Sequence, residues 1–133
     1  LTACGNDLGF EYIFSRNLQG IGNQGDLLII LSTSGNSKNI INVLKEAKRK
    51  KIKSVAFLGG NGGKCKNKSN LEIIVPSDNT ARIQECHIFL GHVIFLAVEE
   101  KGVPMLVISR FPLIRLYKIY SFKIIDSRRR NDS

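Results

Sequence analysis

An α/β fold built on a parallel sheet is what this sequence predicts, and three observations predict it. Apolar runs of strand length alternate with segments of helical spacing: LLIILS (27–32), a helical stretch to about Lys51, then IKSVAFLG (52–59). That strand–helix–strand order is how parallel strands are connected. LLIILS is also continuously apolar between turn signals, as expected of a strand covered on both faces. Finally, it runs directly into LSTSGNSKNI (31–40), which packs Ser32, Thr33, Ser34, Gly35, Asn36 and Ser37 between the strand and the next helix. In open α/β sheets ligands bind at that place, outside the carboxyl ends of the strands.

The elements follow in order. Phe10, Ile13, Phe14, Leu18 and Ile21 recur at helical spacing, so residues 8–19 read as an amphipathic helix. GIGNQGD is a loop, and LLIILS is the first strand. Ile40, Ile41, Leu44 and Ala47 mark one face of the next helix. Lys45, Glu46, Lys48, Arg49 and Lys50 mark its solvated face, with cations near the C-terminus where the helix dipole favours them. IKSVAFLG is the second strand, GGNGGKCKNKSN a loop and LEIIVP (71–76) the third strand. Residues 80–101 read as a long helix with Ile83, Cys86, Leu90, Ile94 and Ala97 or Val98 inward. Beyond Glu100 two prolines and mixed periodicity leave GVPMLVISRFPLIRLYKIYSFKIID unplaced.

Composition narrows the function classes. At 133 residues and 43% hydrophobic, the chain is long enough for one domain with a core. No apolar run approaches the ~20 residues of a membrane span, and the N-terminus has no signal-peptide pattern. Cys4, Cys65 and Cys86 form no C-x-x-C pair and no even framework, so they read as reduced packing residues of a cytoplasmic chain. Of the net charge of +9, residues 102–133 supply +5, ending in Arg128, Arg129 and Arg130. No basic stripe is interleaved with aromatics, so nucleic acid is not an expected partner.

GIGNQG (20–25) matches G-x-G-x-x-G literally, but it follows a helix and precedes a strand, the reverse of a dinucleotide loop. GGNGGK (59–64) resembles a Walker phosphate loop, but Leu58 stands at its first glycine and Cys65 at its Ser/Thr. STSGNS keeps the right context. Helix N-terminal N–H groups favour an anion, hydroxyls add donors, and Gly35 permits close approach. The plainer reading is a helix N-cap, for which one hydroxyl suffices. His87 and His92, on the long helix beside Gln84 and Glu85, form no H-E-x-x-H pattern.

Four segments together resemble the phosphoheptose isomerases, which are sugar isomerase (SIS) domain proteins. These are Asn6–Asp7, STSGNS (32–37), GGK (62–64) and RIQECHIFLGHVI (82–94). The resemblance runs from residue 1 to about 101, leaving 102–133 as a basic extension. It implies a three-layer, flavodoxin-like SIS domain, incomplete at its N-terminus. It implies conversion of sedoheptulose 7-phosphate to D-glycero-D-manno-heptose 7-phosphate, for ADP-heptose and the lipopolysaccharide core, by a cytoplasmic homotetramer that binds zinc. Position by position, Asn6 and Asp7 would contact substrate, and Ser32, Thr33, Ser34 and Ser37 would hold its phosphate. Gln84 would bind substrate and zinc. His92 would bind zinc and act as catalytic acid/base, while His87 matches no functional position.

The resemblance also sets expectations of absence. The family's first strand, its GNGGS-type loop and an H-x-x-x-E segment with two zinc ligands and the catalytic glutamate have no counterpart in these residues. The chain alone is therefore expected to be an inactive or partial isomerase. The alternative is a non-catalytic SIS module that binds a sugar phosphate or a protein such as a replication initiator. Gln84 and His92 lie eight residues apart, ~12 Å along a straight helix, whereas a metal holds its ligand atoms within ~2.2 Å. They are expected to serve different copies of the site, unless the helix bends.

Overall fold

The computed structural model describes residues 2–99 and the backbone of 107–109. Helix α1 (Thr2–Leu8) leads through a 3-10 turn (Phe10–Tyr12) into α2 (Ile13–Ile21). Strand β1 (Leu27–Ser32), helix α3 (Lys38–Arg49) and strand β2 (Lys53–Gly59) follow. A 3-10 turn (Gly63–Cys65), strand β3 (Leu71–Val75), helix α4 (Thr80–Glu99) and strand β4 (Val107–Ser109) complete the order. The strands form one sheet in the order β3-β2-β1-β4, and all three pairings are parallel.

The expected helix over 8–19 lies about two residues later, as the 3-10 turn and α2 over 10–21. Gly9, with φ +96°, separates it from α1, because only glycine adopts that backbone angle freely. Ile13 and Leu18 are buried, but Phe10 and Ile21 point outward. The sequence also left residues 102–133 out of the sheet, whereas Val107–Ser109 pair with Ile29–Leu31 on the free side of β1. The remainder of that stretch, with Arg128–Arg130, lies outside the described residues.

Side-chain alternation along each strand produces three layers. Leu28 and Ile30 of β1, with Ala56 and Leu58 of β2, pack against Leu18 of α2 and Ile40, Val43, Leu44 and Ala47 of α3. Each such buried aliphatic side chain contributes ~1.5–3 kcal/mol. On the other face Phe57 meets α4, whose buried residues are Ile83, His87 and Gly91. Helix α3 ends in a left-handed residue, Lys51 (φ +56°). The Ile52 and Lys51 N–H groups return to the Ala47 and Lys48 carbonyls, which turns the chain into β2.

The supposedly solvated face of α3 has more work than the sequence suggested. Glu46 is buried and takes a two-pronged contact from Arg49, which holds its carboxyl below the usual range. Lys50 reaches across to donate to the Gln19 carbonyl at 2.7 Å, capping the end of α2.

Helix α4 corrects two expectations. Its inward face is Ile83–His87–Gly91, while Cys86 is exposed and Leu90 and Ile94 are half-buried. It is also long and apolar enough, by length and composition, to cross a membrane, with mean hydropathy 1.3 over 18 residues. The sequence reading missed this because charges and histidines interrupt the run. Ile88, Phe89, Val93 and Leu96 form an exposed apolar face on α4, away from the buried one.

Candidate functional site

Strands β1, β2 and β3 end level with one another, since Ser32 pairs with Leu58 and Leu58 with Ile74. Two loops leave that carboxyl edge side by side: residues 33–37 after β1 and 60–70 after β2. The first carries the hydroxyl cluster. Ser32 is buried at its base, Thr33 and Ser37 are half-buried, and Ser34 is exposed. The Gly35 N–H donates to Ser32 Oγ at 3.1 Å, and the Asn36 N–H donates to Ser34 Oγ at 3.2 Å. Two hydroxyl oxygens thus shape the loop as acceptors, and each hydroxyl keeps its own proton to donate.

Ser37 sits at the N-cap position of α3, yet its hydroxyl makes no cap bond to the helix. Asn39 instead accepts from the Ile40 N–H at 2.9 Å. The first-turn amides of Lys38 and Asn39 have no intrahelical partner, as at any helix start. Asn39 is itself buried at 2% exposure, and its Nδ2 has no partner among the described residues. A buried donor without an acceptor costs ~1–3 kcal/mol, which concentrates such groups where something else binds. Asn39 and Lys38 line a cavity of about 200 Å³ with Phe10 and Glu11.

The second loop is locked onto the first. The Lys64 N–H donates to Asn36 Oδ1 at 3.0 Å, and the Cys65 N–H donates to the Gly35 carbonyl at 2.9 Å. Gly35 has φ +62°, and a Cβ there would overlap the Gly62 carbonyl. Gly63, at φ +56°, is as tightly placed against the Ser34 carbonyl and Asn36 Oδ1. Cys65 is fully buried beneath this junction, and burial pushes its thiol up to about 11, so it carries no reactive thiolate.

The remaining expected residues are placed separately. Asn6 and Asp7 are exposed on α1, and Asp7 lines a second cavity of about 450 Å³ with Cys4, Leu8 and Arg16 among others. Neither cavity is lined by Ser32, Thr33, Ser34 or Ser37. On α4, a Cβ on Gly59 would meet Ile83, and the His87 Nε2–H donates to the Leu58 carbonyl at 3.0 Å. The helix therefore runs back down the strand from the carboxyl edge. Gln84, half-buried, lies near that edge. His92 is exposed and eight residues further along an unbroken helix. Among the described residues no group of three or more His, Cys, Asp or Glu could hold a metal. One chain's described residues thus do not assemble the expected zinc site.

His87, silent in the sequence reading, is the structural histidine. It is fully buried with its ring edge-on to Phe57 at 5.9 Å, and burial holds its pKa below the usual value. Sequence reasoning missed Asn39 and the junction of the two loops. An asparagine after a serine-rich turn was the available signal for the first.

The SIS domain family matches residues 1–59. A phosphoheptose isomerase of Leptospira biflexa is 54% identical over 101 residues, covering 76% of this chain and 52% of the relative. That of Sulfurimonas denitrificans is 50% identical over the same length and coverage. The chain is thus similar to SIS-domain phosphoheptose isomerases. Among solved structures, the phosphoheptose isomerase of Francisella tularensis superimposes with a TM-score of 0.67 at 42% identity, over 69% of this chain and 50% of that one. The one from Neisseria gonorrhoeae gives 0.66 at 44%, over 70% and 53%. This chain stacks helices on both faces of a parallel sheet. It spans about half the length of the curated relatives it matches.

Proposed function

We propose that this chain supplies the phosphate-holding part of a sedoheptulose 7-phosphate isomerase, which forms D-glycero-D-manno-heptose 7-phosphate for ADP-heptose and the lipopolysaccharide core. One observation carries the reading. Four hydroxyl residues and the first-turn amides of α3 share one loop at the carboxyl edge of the sheet. Ser32, Thr33, Ser34 and Ser37 hold the phosphate end, where the helix dipole favours negative charge. Asn6, Asp7 and Gln84 contact the sugar.

Aldose–ketose isomerisation moves a proton between adjacent carbons and needs an acid/base near neutrality. His92 has that role, in the site of another copy. In its own chain it stands some 12 Å along α4 from Gln84 and the loop edge. The copies form a cytoplasmic homotetramer, and the exposed apolar face of α4 supports contact between them. Gln84 and His92 from separate copies, with further ligands outside the described residues, would hold a zinc ion, which would stabilise developing charge on the sugar oxygen.

Calorimetric titration with sedoheptulose 7-phosphate tests the binding. Ser34→Ala and Ser37→Ala are each expected to weaken it about tenfold without unfolding the protein, ~1.4 kcal/mol per site. Unchanged affinity in both would reduce the loop to a cap. Turnover measured with and without zinc separates the isomerase from a non-catalytic SIS module, which would bind and not convert.

A further inference from the structure

The GGNGGK run fails as a nucleotide loop, and holding the phosphate by STSGNS leaves it without a task. Its placement gives it one. The Asn36 side chain reaches out of the serine loop and accepts the Lys64 N–H at 3.0 Å, while the Gly35 carbonyl accepts the Cys65 N–H at 2.9 Å. These bonds join residues 28 and 30 positions apart in sequence. Gly63 is braced within its own turn, its N–H on Asn61 Oδ1 at 3.0 Å, and it has no room for a Cβ against Ser34 and Asn36. The two loops therefore have one joint conformation.

Lys64 is the residue this junction places beside the hydroxyl cluster. Its backbone is held by Asn36, its side chain is exposed, and its ammonium makes no hydrogen bond or ion pair among the described residues. Two nearby carboxylates are engaged elsewhere. Glu46 is held by Arg49 near the far end of α3, and Glu72 by the Ser69 hydroxyl and the Lys68 N–H. A phosphate monoester at the loop carries close to two negative charges, and hydroxyls and amides alone supply no full positive charge to match them.

We propose that the Gly59–Lys64 turn is the second wall of the phosphate site. Asn36 and Gly63 are its positioning residues, holding the serine loop in shape, and Lys64 is its cation, contacting a phosphate monoester from the rim. This rests on the phosphate-holding reading above.

The test is titration of the full chain with inorganic phosphate and with sedoheptulose 7-phosphate, at low and high salt. Thermal midpoints are recorded alongside. Lys64→Met is expected to lower affinity about tenfold at low salt, with the midpoint unchanged, and the deficit is expected to shrink at high salt as screening rises. Lys66→Met, an exposed lysine of the same loop, is expected to bind as the unaltered chain does. Asn36→Ala is expected to lower both affinity and midpoint. Asn36→Asp keeps the acceptor for Lys64, so it should recover the midpoint yet bind phosphate more weakly than Asn36→Ala, because it sets a carboxylate beside the anion.

Wild-type affinity and salt dependence in Lys64→Met, or an equal loss in Lys66→Met, overturns the cation. Wild-type affinity in Asn36→Ala overturns the positioning role. If the unaltered chain binds neither ligand, the phosphate-holding reading fails and this inference with it.

Discussion

Gly35→Ala, compared with Gly60→Ala, isolates the contact between the two loops. The backbone angles match, φ +62° at Gly35 and +60° at Gly60, so each alanine pays the same left-handed strain. That strain is ~1–2 kcal/mol. Around Gly60 nothing lies within 4 Å of an added Cβ, whereas at Gly35 the Cβ overlaps the Gly62 carbonyl. Gly62 is anchored by its own N–H to the Gly59 carbonyl at 3.0 Å, so it cannot simply turn aside. Relief requires the loops to separate, which loses the Cys65–Gly35 and Lys64–Asn36 hydrogen bonds. At ~1 kcal/mol each, the loss brings Gly35→Ala to about 3–4 kcal/mol against about 1–2 for Gly60→Ala. Urea denaturation followed by far-ultraviolet circular dichroism measures both, and at a slope of ~1–2 kcal/mol/M the midpoints differ by about 1–2 M. Equal losses within ~0.5 kcal/mol, the usual scatter of a surface substitution, would refute the interlocked loops.

Other consequences can be checked on the same protein. His87 is buried with its pKa below the ordinary 6.5. The unfolded chain therefore takes up this proton at higher pH than the folded one, so stability is full above 6.5 and falls as pH drops below it. His87→Phe, which keeps an aromatic ring against Phe57, is expected to flatten the melting temperature between pH 7 and 5. An unchanged slope would assign the effect to other groups. Phe89→Glu with Leu96→Glu places two charges on the exposed apolar face of α4 and is expected to lower the assembly mass in sedimentation. The same mass with both changes would clear that face of a role in assembly. Cys86 is exposed and Cys65 fully buried with a thiol near 11, so Cys86 is expected to react with a disulfide reagent at pH 8 at least tenfold faster. Equal rates would mean that the loop junction opens readily.

Much of the framework was legible from residue order. LLIILS reads as a strand covered on both faces because it lies between two layers of helices, and alternation is lost there. α3 reads correctly along Ile40, Leu44 and Ala47 because its apolar face is narrow and its period clear. The hydroxyl loop was legible because strand, serine-rich turn and helix are contiguous. That Phe10 and Ile21 point outward was not, since both keep the helical spacing of the buried Ile13 and Leu18.

The sequence by itself determined the parallel α/β order, the strands and the location of the hydroxyl loop, all of which rest on local periodicity and turn chemistry. Tertiary structure decided what local pattern cannot carry. α4 is apolar around most of its circumference, so spacing could not choose its inward face. His87 finds the Leu58 carbonyl and packs edge-on to Phe57, which turns Ile83, His87 and Gly91 inward in place of Cys86, Leu90 and Ile94. The union of the serine loop with the GGNGGK turn depends on hydrogen bonds between residues some thirty positions apart. Only the fold brings those residues within 3 Å of each other.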